Sequence, residues 1–179
     1  MTDLSDSLAM TGSKSPQWDY HYPLLIVFAL LSSFTIIFPG CIGGIAYEKD
    51  YSIEEASWDQ TDTLNFQFEI DDTTVYHDVF MVFRIDNEYP FSNLYSRVKM
   101  NGPQGQRITE LKSYELADKS GKWRGKSYGG LISFEYPIFK EMEFRKGKYE
   151  LQLQQFMRIK SIPGIHDVGI KIVEGDPLL

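Results

Sequence analysis

The chain has 179 residues, with 18 basic against 25 acidic side chains and a net charge of −7. That balance excludes the basic footprint of a nucleic-acid binder, and a single cysteine excludes internal disulfides and cysteine-based zinc sites. Aromatic side chains make up 15% of the sequence, which together with the β-branched residues predicts strands.

The first element is an uncharged apolar run from Leu24 to Phe38, closed by Pro39 and Gly40 and followed at once by Cys41. Fifteen residues suit the hydrophobic region of a signal peptide and fall short of the roughly 20 a spanning helix prefers. Three readings stand open: a lipoprotein signal cleaved before Cys41, an uncleaved anchor helped across by tilt and by Ile42 to Ile45, and a free thiol buried in a core. Length and position favour the first. Residues 1–40 are then a lipoprotein-type signal, and Cys41 is the lipidation site, holding the protein on acyl chains such as palmitate. Two features depart from a standard signal. Phe38-Pro39 replaces the usual Leu-Ala/Ser pair before the glycine, and Asp3, Asp6 and Asp19 outnumber Lys14; initiation at Met10 would remove two of those acids.

Residues 41–179 form one domain by length. Loss of one lysine and three aspartates with residues 1–40 leaves 17 basic and 22 acidic side chains, a net of −5. Ile45–Ile53 alternates loosely and predicts an edge strand; Glu54–Asp62 reads as a connector. Leu64, Phe66, Phe68 and Ile70 alternate with Asn65, Gln67 and Glu69, the period of a half-buried strand. Asp71 to Thr74 is a turn. Val75–Ile85 is a denser strand, its apolar content predicting cover on both faces. Asp86 to Pro90 breaks it, and Leu94–Met100 resumes it. The cluster Asn101 to Gly105 turns the chain into a strand over Arg107–Leu116. After the turn Ala117–Lys122 comes a strand from Leu131 to Phe139, with one helical turn admissible over Ile138–Phe144. Tyr149, Leu151 and Leu153 alternate until Phe156 and Met157 break the phase, as a bulge or sheet corner would. The last strand is Asp167–Glu174. About eight antiparallel strands with turns between them predict an all-β, jelly-roll-like sandwich.

Sites for chemistry are scarce. Gly121 to Ser127 imitates a phosphate-binding loop but has three residues between its glycines where four are needed, and a strand follows it. His77 and His166 each precede an aspartate, Asp78 and Asp167, yet neighbours on a strand point to opposite faces, so neither pair converges. The paired acids Glu54-Glu55 and Asp71-Asp72 read as solvated or capping groups. Trp58 and Trp123 read as core or end plugs, with sugar-stacking platforms as the alternative. No catalytic residue, metal site or cofactor is expected, and no nucleic acid or small-molecule substrate.

Five blocks follow in order: Tyr89-Pro-Phe-Ser-Asn-Leu94, Leu116-Ala-Asp-Lys-Ser-Gly-Lys-Trp123 with Gly125, Gly147-Lys-Tyr149, Gln155-Phe-Met-Arg158, and Ile162-Pro-Gly-Ile-His-Asp-Val-Gly169. Over roughly Ile45 to Glu174 the chain resembles the GldH family, gliding motility lipoproteins of Bacteroidota. The family's lipidated cysteine falls on Cys41. The resemblance implies a non-catalytic structural or assembly subunit of the cell-envelope gliding apparatus, working alongside type IX secretion, with the membrane and other envelope proteins as partners. The residues themselves leave a carbohydrate-binding sandwich lipoprotein as the alternative. Within the blocks, Asn93, Asp118, Trp123, Arg158 and Asp167 are marked as fold determinants or partner-surface residues, with Arg158 expected to pair with a carboxylate such as Asp118 or Asp167. Residues 42–45 carry no acidic cluster of the kind that marks surface export in these bacteria, so the domain is expected to face the periplasm.

Overall fold

The computed structural model describes residues 44–178, so the apolar run, Met10, His21 and Cys41 lie outside the described residues. Eleven strands form three antiparallel sheets: β1 (Ile45–Ser52), β2 (Ser57–Asp59), β3 (Thr63–Ile70), β4 (Val75–Ile85), β5 (Asn93–Asn101), β6 (Arg107–Glu115), β7 (Lys126–Tyr128), β8 (Leu131–Met142), β9 (Gly147–Gln155), β10 (Ser161–Pro163) and β11 (Ile165–Pro177). A five-stranded sheet, β1-β11-β4-β8-β7, lies over a four-stranded sheet, β3-β9-β5-β6, and a small ribbon, β10-β2, is the third sheet. The architecture is an all-β sandwich, as the alternation predicts. No helix of the described residues is long and apolar enough to cross a membrane.

Period two builds the core. Phe66, Phe68 and Ile70 of β3, Leu94, Val98 and Met100 of β5, and Tyr149, Leu151 and Leu153 of β9 face Val79, Met81, Phe83 and Ile85 of β4 and Val168, Ile170 and Ile172 of β11, all buried. Each such side chain contributes about 1.5–3 kcal/mol of apolar burial. Gly169 lets β1 pair closely with β11: a Cβ there would stand 2.5 Å from the Lys49 carbonyl oxygen.

Four readings of the sequence change. Leu94–Met100 does not resume the strand before it: β4 belongs to the five-stranded sheet and β5 to the four-stranded one. Asp86 directs the crossing, its carboxylate accepting from the Glu88 amide at 2.8 Å. β4 is buried on one face and only half-covered on the other, where Arg84 is exposed, because its apolar excess packs beside neighbouring side chains rather than under a second layer. Ile138–Phe144 makes no helical turn. β8 runs on to Met142 and pairs it with His77 across a bulge, while the Asp78 carboxylate accepts from the Glu141 amide at 2.8 Å. The three strands beyond the predicted eight are the three-residue β2, β7 and β10: β2 lies in the stretch read as a connector, β7 begins within Gly121–Ser127, and β10 lies between the phase break at Phe156 and Met157 and the last strand.

Candidate functional site

The sandwich has two distinct ends. The chain enters at one of them, where the Gly44 carbonyl accepts from the Glu174 amide at 2.9 Å and Ile45 pairs with Val173. The β3–β4 turn is at this end too, with Asp71 bridged to Lys146 at 2.9 Å. Strand β1 carries the chain away over eight residues. The opposite end collects the connections on either side of β2, between β4 and β5, between β6 and β7, and from β9 through β10 to β11.

Four of the five sequence blocks meet at that far end and are joined mainly by backbone. The Ser92 carbonyl accepts from the Leu116 and Ala117 amides at 2.7 and 3.1 Å, and the Gly164 carbonyl accepts from the Asp86 amide at 2.9 Å. Gly164 has φ of +78° and sits so close that a Cβ would lie 2.4 Å from the Tyr89 nitrogen, which is why glycine is needed there. Tyr89 is buried, donates its hydroxyl to the Asn93 carbonyl at 2.7 Å, and meets Trp123 edge-on at 6.3 Å between centroids. The fifth block, Gly147 to Tyr149, lies at the entry end, where Gly147 pairs with Ile70.

The marked residues divide by role. Asn93 supplies that carbonyl from the first position of β5. Trp123 is half-buried between Tyr89 and Phe134, and Trp58 is fully buried, so both are packing groups rather than platforms. Asp118 closes its own turn, accepting from the Ser120 hydroxyl at 2.6 Å, the Ser120 amide at 2.8 Å and the Lys122 amide at 3.1 Å. These bonds, the hydroxyl first, hold its carboxyl below the usual range. Asp167 is buried and takes the Arg84 guanidinium at 2.6 and 2.7 Å. Arg158 therefore has neither of its expected partners; it is exposed on the turn after β9.

That turn was marked in the sequence by its broken phase and by the Gln155–Arg158 block. Gln155 is buried at the end of β9 and folds the turn around its amide: Oε1 accepts from the Met157 nitrogen at 2.8 Å, and Nε2 donates to the Ile159 and Lys160 carbonyls at 3.2 Å each. Met157 is thereby buried and Phe156 is left outside. Phe156 joins Phe91, Tyr95 of β5, Leu111 of β6 and Ile159 around an apolar cleft of about 490 Å³, with Arg158 on its wall. Sequence patterning passes over Tyr95 and Leu111, since each is an apolar residue at an outward position of an otherwise ordinary strand.

A second hollow, about 760 Å³, lies on the five-stranded sheet and mixes charged with apolar walls, Glu48, Asp50 and the Arg84–Asp167 pair beside Phe134 and Tyr136. Beside it Lys171 bridges Glu135 at 2.6 Å. The histidines do not meet. His77 is buried edge-on to Phe144 and opposite Glu174, while His166 lies eight residues earlier along β11, roughly 26 Å away. His166 Nε2 donates to Asp86 Oδ2 at 2.7 Å, and this bond holds the Asp86 carboxyl below its usual range. Among the described residues no group of three or more His, Cys, Asp or Glu side chains is arranged to hold a metal ion.

The family model for the GldH lipoprotein matches residues 45–172. A gliding motility lipoprotein GldH homolog of Christiangramia forsetii is 32% identical over 152 residues, covering 80% of this chain and 93% of that protein. Gliding motility lipoprotein GldH of Flavobacterium johnsoniae is 25% identical over 134 residues, covering 71% and 84%. Among solved structures, a carbohydrate-binding module specific for non-crystalline cellulose aligns at a TM-score of 0.42 and 9% identity, over 73% of this chain and 74% of the module.

Proposed function

The chain belongs to the GldH lipoprotein family, and on that premise we propose that it is a non-catalytic assembly subunit of the gliding apparatus, held on the membrane by acylated Cys41 with its domain facing the periplasm. The observation that carries this reading is the arrangement of the two ends. Gly44 lies three residues after Cys41 and enters the fold at one end, while four blocks build the other. A lipid at Cys41 leaves the assembled end turned away from the bilayer, the arrangement of a subunit that works by contact. Pairing is the main business of the strong polar groups at that end: Asp118, Asp86 and Gln155 close turns, and Asp167 binds Arg84. The uncharged stretch Ile42 to Ile45, which lacks an acidic cluster, supports the periplasmic side.

Replacement of the native protein by its Cys41→Ser variant tests the reading. The variant is expected to lose fatty-acid label, leave the membrane fraction and abolish spreading. A variant that carries no label yet spreads normally would overturn the anchor, and a normally spreading deletion strain would overturn the role in the apparatus.

A further inference from the structure

We propose that the cleft at Phe156 is the docking site for a partner protein, one that presents an aromatic or aliphatic side chain flanked by carboxylates; the inference rests on the lipid-anchored reading above and names the surface it uses. Three of the five exposed large apolar side chains among the described residues gather in this one place: Leu111 at 54% exposure, Tyr95 at 38% and Phe156 at 38%. Apolar surface concentrated in this way marks a contact site, whereas scattered exposed residues do not.

The cleft is held open by its own bonds. The Tyr95 carbonyl accepts from the Phe156 amide at 2.8 Å, and the Tyr95 amide donates to Met157 Sδ at 3.3 Å. Gln155 fixes the turn behind it, so little ordering cost remains for binding. Two guanidinium groups frame it. Arg158 is on the wall, and Arg97 lies over the Phe156 ring at 4.2 Å. Among the described residues the Arg97 guanidinium hydrogen-bonds only the neutral Gln154 amide oxygen, at 3.5 Å, and neither arginine is in an ion pair. The nearby acid at the end of β6, Glu115, is bridged to Arg124 at 3.1 Å. A chain of net charge −7 thus offers a locally cationic, apolar cleft, complementary to an acidic partner.

Geometry selects among occupants. The four steps from Cys41 to Ile45 span at most roughly 14 Å, and β1 then runs about 26 Å toward the end that bears the cleft. A bilayer that holds Cys41 therefore lies at the entry end, opposite the cleft, so an anionic lipid surface is the wrong occupant. Two copies joined symmetrically through this cleft would set arginine against arginine. A different protein with acid beside its anchor residue meets neither objection.

The test is photo-crosslinking in intact cells, with a benzophenone amino acid at Leu111 and, as control, at Tyr128 on the five-stranded sheet. The crosslinked peptide is sequenced and the fatty-acid content of Cys41 measured in the same sample. The expected product joins Leu111 to a peptide of another protein with an apolar residue within a few positions of Asp or Glu. Arg97→Glu with Arg158→Glu should lower its yield about tenfold or more, with the variant's melting curve unchanged. A peptide lacking acid, a peptide of this chain (including residues 1–40), a lipid adduct, or a yield no higher than at Tyr128 would each overturn the proposal. Acylated Cys41 with a failed crosslink rejects the cleft alone; a retained crosslink on unacylated protein rejects the anchor alone.

Discussion

Gln155 carries more of the far end than any charged residue in the blocks. Its buried amide satisfies one backbone nitrogen and two carbonyls, and no apolar replacement can do so. Gln155→Leu should cost about 1–3 kcal/mol, read as a lowered urea midpoint at unchanged slope; stability equal to the parent would show that water replaces the amide. Asp86 gives a pH signature. The His166 bond depresses its carboxyl, and a depressed carboxyl adds stability above its unfolded pKa of about 3.9 that is lost as pH falls through the lower folded value. Asp86→Asn should therefore flatten the acid limb of the stability profile below about pH 4. An unaltered acid limb would contradict this. These pairings were largely illegible in the sequence. Asp86, Asp118 and Asp167 are recognisable as turn or strand acids, but the partners of Asp86 and Asp167, His166 and Arg84, are 80 and 83 positions away, and only the register of β4 against β11 brings them together.

Long strands were legible whatever the topology, β3 and β9 from their alternation and β4 from its apolar density: all three lie within two residues of where the sequence places them. Their assignment to sheets was not, since a turn such as Asp86 to Pro90 reads alike whether the chain folds back in one sheet or crosses to the other. Three-residue strands carry no period at all. Among these β2 matters most. It pairs only with β10, yet it holds Trp58 fully buried, with the indole nitrogen donating to the Asp62 carbonyl at 3.2 Å. The ribbon therefore works as a plug at the far end of the core. Trp58→Ala should cost about 3–5 kcal/mol, far more than an exposed aromatic such as Tyr128, which is 89% exposed. Equal effects in thermal unfolding would rule out the plug.

Across the described domain, the fold separates the end where the chain enters from the end that carries the cleft. One end receives the chain just after Cys41, and the other gathers the sequence blocks and the cleft between Tyr95, Leu111 and Phe156. The class of fold and the position of the cysteine were readable from patterning, whereas the cleft was not, because it is assembled from outward residues of two strands and a turn remote in sequence. The most direct measurement is mass spectrometry of the N-terminal peptide of the mature protein purified from membranes. The account predicts a peptide beginning at Cys41 with its sulfur and amine carrying acyl groups and residues 1–40 gone. An unmodified Cys41 still joined to Gly40 would contradict it.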